Sequence, residues 1–240
     1  MGFLSFIERN RHAINKEFAG TDKNWYFSAT TASLYSGLLP IIRQNAKGAI
    51  LDAGAGDLQY KSLLQRYGSS YESFDIERRQ ESIDHLGDVQ DMRGIPSALY
   101  DTVFCNQVLE HVPEPQKAIA EFFRILKPGG KLILAVPHLS RLHEEPHDYY
   151  RYTQYSVAFM LERARFHSIE TTKAGGLFCF LFHQLSTLYL SLFWRIPVIK
   201  NLTYYINKIF FVHCIVFLDK VFNTGVKFPL NIIAVARKDE

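Results

Sequence analysis

The sequence predicts an α/β chain built on an open, mostly parallel sheet, and three observations carry that prediction. Short apolar strands alternate with helical periodicities from residue 49 onward, a glycine-rich turn follows the first strand, and residues 102–136 spell out a βαβ crossover. With 240 residues and 48% apolar content, the chain can bury one substantial core, so one domain with embellishments is expected.

Taken in order, Leu34, Leu38, Leu39, Ile41 and Ile42 line one face of an N-terminal helical region, residues 1–47, expected to pack on the core. Residues 49–52 read as the first strand, with a helix expected from Leu58. Strands follow at 73–76, 102–106 and 131–136. Between the last two, Ala118, Ile119, Phe122, Phe123 and Leu126 recur at helical spacing, and Lys127-Pro128-Gly129-Gly130 stops that helix. Thr153 caps a helix reaching about Ala164, and 168–172 and 231–236 are the remaining strands.

The formal charge is +3 and no run of five like charges occurs, which argues against nucleic acid as a partner. Cys105, Cys179 and Cys214 are odd in number and lack a Cys-x-x-Cys pair, as expected for a reducing cytosol without a thiolate zinc site. The greasy start at residues 1–7 meets Glu8, Arg9 and Arg11 too soon for a signal-peptide core. Met1-Gly2 lacks the Ser or Thr that myristoylation needs at position 6, where Phe6 stands. A cytoplasmic protein is expected.

Residues 49–57, Ala-Ile-Leu-Asp-Ala-Gly-Ala-Gly-Asp, hold the most informative chemistry. Gly54 and Gly56 let the backbone approach a ligand and take positive φ, and a following helix start would offer N–H groups. A dinucleotide fingerprint asks for a glycine where Gln59 stands, so a nucleoside-like cofactor without a pyrophosphate is favoured. Asp75, 21 residues after Gly54, can accept from both ribose hydroxyls, and Asp88 from an exocyclic amine of adenine. Asn106 and Gln107 end the next strand beside the same crevice. Singly, Asp75 or Asp88 reads equally well as a turn cap, and Asp52 as a structural acceptor for loop N–H groups. Together their order and spacing point to one pocket.

The chain resembles class I S-adenosylmethionine-dependent methyltransferases over roughly residues 48–176. The pieces that carry the resemblance are LDAGAGD (51–57), FDIE (74–77), GDVQDM (87–92), YDTVFCNQVLEHVPEPQKAIAEFFRILKPGGKLILAVP (100–137) and HEEPHDYYRYT (143–153). It departs from the family at position 58, where Leu58 replaces the usual third glycine. The resemblance implies a Rossmann-like, doubly wound, seven-stranded sheet with an antiparallel last strand, and a methyltransferase domain over residues 48–240. It implies S-adenosylmethionine as cofactor, its methionyl part over Gly54 and Gly56, ribose on Asp75 and adenine near Asp88 and Val89. Asp52, Ile76, Asn106 and Gln107 complete the expected cofactor set.

His138, His143, Glu144, Glu145, His147 and Asp148 crowd the loop after the strand ending at Val136, where an acceptor should enter. His143 or His147 suits a general base near neutral pH. The same spacing could offer two imidazoles and a carboxylate to a metal, but nothing in the sequence sets that geometry and no metal site is assigned. A third reading is a hydrogen-bonded lid. Glu110 and His111 read as helix-start residues beside the pocket. The His-x-x-Pro-His-Asp-Tyr-x-Arg-Tyr-Thr pattern is similar to one in methyltransferases of polysaccharide and envelope-glycan gene neighbourhoods, which implies a glycan or lipid-linked glycan acceptor.

The connection between the last two strands has an unusual composition. Residues 174–194 contain no charge, residues 209–218 are a second uncharged stretch too short to span a bilayer alone, and 174–228 carry +4 overall. This apolar helical insert could dip into the anionic inner leaflet of the plasma membrane, pack as a cap, form a homo-oligomer contact or, through the 21 residues 174–194, span the bilayer, though Gly175, Gly176, His183 and Gln184 weaken the last. The expected function is O-methylation of a glycan, glycolipid or envelope precursor at the cytoplasmic membrane surface. The alternatives are a soluble small-molecule methyltransferase with the insert as lid, and an inactive membrane-associated binding protein.

Overall fold

Seven strands form one sheet in the spatial order β3-β2-β1-β4-β5-β7-β6. They are β1 (Ala49–Ala53), β2 (Ser70–Asp75), β3 (His85–Leu86), β4 (Tyr100–Asn106), β5 (Leu126–Pro137), β6 (His167–Ala174) and β7 (Asn231–Arg237). The structure is a computed structural model that describes residues 3–18, 20–78 and 82–239; Met1 and Gly2, on which the lipidation reading turned, lie outside the described residues. β1 pairs in parallel with β2 and β4, β2 with β3, and β4 with β5. β7 runs antiparallel to β5. The expected mostly parallel α/β sheet with an antiparallel last strand is therefore what the chain forms.

All six strands read from the sequence are present. β3 was missed because two residues display no alternation to detect. β5 begins five residues earlier than expected, since the backbones of Gly129 and Gly130 pair with Lys238 and hold that stretch extended. The helix expected from Leu58 is a correction. Leu58 adopts φ +58, a left-handed conformation no right-handed helix contains, so α3 (Lys61–Gln65) starts only after that turn and has five residues.

Residues divide into two compact units, 37–173 with 231–240, and 1–36 with 174–230. In the first, the C-terminal part of α2 (Ala29–Asn45) contributes Leu38 and Ile42, both fully buried at i, i+4 spacing. α4 (Pro115–Ile125) buries Ala118, Ile119, Phe122 and Ile125 as one stripe, with Ile119, Phe122 and Ile125 each stabilising the unit by about 1.5–3 kcal/mol. α5 (Gln154–Arg163) opens with a reciprocal capping box between Thr153 and Ser156.

The second unit is helical. α1 (Phe3–Phe18) is tied to α6 (Leu177–Phe193) by Asn10 Nδ2 donating to the Ser191 carbonyl at 2.7 Å, and by a cluster of Ile14, Phe18, Phe27, Leu190, Trp194 and Tyr204. α7 (Lys200–Ile206), a π-helical stretch over Asn207–Cys214 and α8 (Ile215–Val221) follow without interruption. The insert's second half is therefore a 22-residue helix, Lys200–Val221, long and apolar enough by length and composition to cross a membrane. The uncharged stretch 209–218 lies inside this longer helix, because neither Gly nor Pro occurs between Lys200 and Val221 and the charges Lys208, Asp219 and Lys220 do not stop it.

Candidate active site

Register sets the carboxyl ends of the parallel strands side by side. Ala53 lies opposite Phe74, Asp52 opposite Phe104, Asp75 opposite Leu86 and Asn106 opposite Ala135. The expected cofactor residues thus collect along one edge of the sheet, where open α/β folds bind ligands.

At that edge the glycine turn is held by β2. The N–H groups of Gly54 and Ala55 donate to the Phe74 carbonyl at 2.8 and 3.1 Å, and that of Gly56 donates to Asp75 Oδ2 at 2.7 Å. Both glycines have positive φ, +80° and +51°. A Cβ on Gly54 would collide with the Val108 side chain, whereas one on Gly56 would meet nothing within 4 Å. Packing excludes a side chain from the first position, and the second leaves an open cradle.

Asp75 is buried, and its other oxygen accepts from Glu77 N at 3.1 Å; each oxygen keeps a further lone pair for a ligand hydroxyl. Ile76 beside it is 69% exposed. Asp88 accepts from the backbone and side-chain nitrogens of Gln90, both at 2.8 Å, and its neighbour Gly87 donates to the Asp75 carbonyl. Val89 is packed into the core, which leaves only its backbone for a ligand. Asp52 points inward and accepts the Tyr71 hydroxyl at 2.9 Å, while the turn N–H groups it could have held go to Phe74 and Asp75. Burial, reinforced by the Asp75 charge, pushes its carboxyl up to about 7.

Asn106 Oδ1 and Gln107 Nε2 are buried without a hydrogen-bond partner, and Gln107 sits at φ +55° with its N–H on the Ala135 carbonyl at 2.8 Å. Buried polar atoms are normally satisfied, so an orphaned acceptor and donor next to an open glycine cradle fit a polar ligand. S-adenosylmethionine, which the sequence resemblance implies, matches this arrangement: ribose hydroxyls for Asp75, an apolar platform at Ile76 for adenine, and an amino-acid end for the two orphaned atoms.

Beyond Gln107 the chain forms a short 3-10 helix, Leu109–His111, and the histidine-rich loop is tied onto it. Tyr149 and Tyr150 N–H groups donate to the Glu110 carbonyl, and the Tyr152 hydroxyl donates to the Leu109 carbonyl at 2.7 Å. Arg151 holds Asp148 through two bonds at 2.6 and 2.8 Å, which keeps that carboxyl well below the usual carboxylate range. Asp148 in turn accepts the His143 N–H at 2.8 Å. Burial, then neighbouring His111, lowers the His143 pKa and favours its neutral form. His147 is exposed, with Nδ1 2.9 Å from the Tyr149 hydroxyl.

Sequence reasoning passed over Glu110 as a helix-start residue. It is fully buried, neither carboxylate oxygen has a hydrogen-bond partner, and burial pushes its carboxyl up to about 8. The available signal was an acid between Leu109 and Val112, two residues that bury themselves.

A family model described as a methyltransferase domain matches residues 27–173. The ubiquinone biosynthesis O-methyltransferase of Xanthomonas oryzae pv. oryzae is 29% identical over 103 residues, covering 38% of this chain and 43% of that protein. The S-adenosyl-L-methionine-dependent Diels-Alderase iccD of Talaromyces variabilis is 32% identical over 105 residues, 37% of this chain and 36% of that protein. The match thus spans less than half the length of these curated relatives. Among solved structures, a SAM dependent methyltransferase from Archaeoglobus fulgidus superposes with a TM-score of 0.58 at 15% identity, covering 95% of this chain and 99% of the other. The Haemonchus contortus phosphoethanolamine N-methyltransferase 2 complex with S-adenosyl-L-methionine gives 0.56 at 14% identity, over 100% of this chain and 60% of the other. At such identities the likeness is one of fold. The family match, by contrast, covers more than half of the chain and takes in the glycine turn, the Asp75 strand and the histidine-rich loop, and on that ground this protein belongs to the methyltransferase-domain family.

Proposed function

We propose that this protein is an S-adenosylmethionine-dependent methyltransferase acting on an oxygen of an amphiphilic acceptor, a glycolipid or other envelope precursor, at the cytoplasmic membrane surface. The observation that carries the cofactor half is the open glycine cradle beside the orphaned Asn106 and Gln107 atoms. When bound, the cofactor supplies an electrophilic sulfonium methyl. The chain's own work is alignment: the turn and Asp75 set the cofactor's position, and the Asp148–Arg151 pair stiffens the loop that shields the crevice from water. A hydroxyl acceptor has a proton to lose, and His143 and His147 are the candidates to take it. Oxygen is favoured as the accepting atom by the relatives named as O-methyltransferases.

The membrane half rests on the helical unit taken by itself. Its Lys200–Val221 helix turns polar groups inward: Asn207 donates to the Phe27 carbonyl at 3.0 Å and is bonded by Ser186, and Asp219 accepts the Phe178 and Cys179 N–H groups at the start of α6. Its outward side carries Leu202, Ile209, Phe210 and Phe217, each more than half exposed. A helix with its polar side packed and its apolar side open, in a segment of charge +4, suits an anionic interfacial layer better than bulk water. Because the remaining side is already packed on protein, docking on one leaflet is favoured over a span.

Calorimetry with S-adenosylmethionine and S-adenosylhomocysteine tests the cofactor half: wild type binds both, and Asp75→Ala weakens both about tenfold or more. Equal affinities would remove Asp75 from the site. Flotation with anionic liposomes tests the other half, with Phe210→Ser/Phe217→Ser expected to leave the lipid fraction. Failure of wild type to float would favour a soluble small-molecule acceptor.

A further inference from the structure

We propose that Glu110, His111 and His143 form a binding site for one divalent transition-metal cation, with zinc the best match. His111 Nδ1 lies 2.6 Å from the His147 carbonyl, which can only accept, so Nδ1 carries a proton and, in the neutral ring, Nε2 is the free ligand atom. His143 Nδ1 faces the Arg141 carbonyl at 3.3 Å and Asp148 Oδ2 at 3.5 Å, again only acceptors, so its Nε2 is free too. Both Nε2 atoms point at the same oxygen, Glu110 Oε1, at 3.7 and 3.8 Å. With Glu110 ionised and both imidazoles neutral, as metal binding requires, three ligand atoms converge on one place.

Glu110 is fully buried and neither of its oxygens has a hydrogen-bond partner. Buried carboxylates are ordinarily paired or bound to a metal. The three ligand atoms lie within 4.8 Å of one another, and ligands at about 2.0–2.2 Å from a tetrahedral zinc sit about 3.4 Å apart, so closure asks for shifts of a few tenths of an ångström at the two Glu110–histidine pairs and of up to about 1.4 Å between the two imidazoles, within reach of side-chain rotation. The outer partners are those a metal-ligating histidine uses: a backbone carbonyl on His111, and a carbonyl with a carboxylate on His143. Two imidazoles and one carboxylate select zinc or another first-row ion over magnesium or calcium. Three protein ligands leave a coordination position open, where an acceptor oxygen would be polarised; that role rests on the oxygen-methylation reading. With His143 engaged, proton acceptance falls to His147.

Cobalt(II) titration of the full-length, chelator-treated protein tests the site. One equivalent is expected to give visible d–d absorption that zinc(II) bleaches, with Glu110→Gln and His143→Gln each weakening cobalt affinity about tenfold or more, and His167→Gln, a surface histidine elsewhere, leaving it unchanged. Circular dichroism confirms that each variant is folded, and His143→Gln is the decisive one should Glu110→Gln not fold. No saturable cobalt binding by folded wild type, or wild-type affinity in folded His143→Gln, would overturn the proposal in favour of a carboxylic acid sharing its proton with the histidines. S-adenosylhomocysteine affinity of the metal-free protein is read separately, because the glycine turn contributes none of the three ligands.

Discussion

Asp52→Asn should abolish a specific pH dependence of stability. Asp52 is buried near the end of β1, it accepts the Tyr71 hydroxyl, and its carboxyl is pushed up to about 7 from an ordinary 3.8. An acid raised in the fold keeps its proton there while the unfolded chain loses it. Its contribution is therefore fully present below about pH 4, falls as pH rises, and is gone above about pH 7. The two values are about 3 pH units apart, and at 1.36 kcal/mol per unit that is on the order of 4 kcal/mol of stability lost across the window. Asparagine keeps the shape and an acceptor for Tyr71 but cannot ionise. Urea denaturation of both proteins at about pH 4 and about pH 8 gives the comparison: wild type should lose more stability than the variant between the two. Other acids titrate in both proteins and cancel in the difference. Parallel curves would mean that Asp52 is already charged in the fold, and the inward, protonated carboxyl would be wrong.

The glycine turn makes a second prediction. Gly54→Ala places a Cβ into Val108 at φ +80°, which adds collision to a left-handed penalty of about 1–2 kcal/mol, and both stability and S-adenosylhomocysteine affinity should fall; Gly54→Ala/Val108→Ala should recover part of the stability. Leu58→Gly should change stability by no more than about 1 kcal/mol, because relief of the left-handed strain at φ +58° is offset by glycine's greater freedom in the unfolded chain; a loss of several kcal/mol would show that the Leu58 side chain anchors the turn. Thr153→Ala removes the capping box of α5 and should cost about 1 kcal/mol in thermal denaturation without altering cofactor affinity.

Much of the fold was legible because local chemistry and tertiary need agree along β1, β4, α4 and β5. Apolar strands of four or more residues and a stripe at 118, 119, 122 and 126 report their own burial. A leucine following a glycine turn has good helical propensity, which predicts a helix there, but the turn closed by the Leu58 N–H on the Ala55 carbonyl at 2.8 Å holds it at φ +58°. From the sequence only the stretch 209–218 stood out, because Lys208 and Asp219 bound it, whereas the helix around it runs from Lys200 to Val221. In three dimensions Asn207 is the buried joint to Phe27 and Ser186.

By itself, the sequence determined the α/β class, the glycine turn and the roster of polar residues at strand ends, since each depends on spacing and on residue types with narrow conformational or chemical uses. Only the tertiary structure decided which way those side chains point. Asp52 is drawn to Tyr71 while Asp75 takes the Gly56 N–H, and Val89 is pulled into the core. It also brought His143, 32 residues along the chain, into line with Glu110 and His111, through backbone bonds from Tyr149 and Tyr150 that no spacing rule contains. Hydrogen-bond satisfaction is a property of the whole packed neighbourhood, so the convergence of Glu110, His111 and His143 on one place becomes visible only after folding.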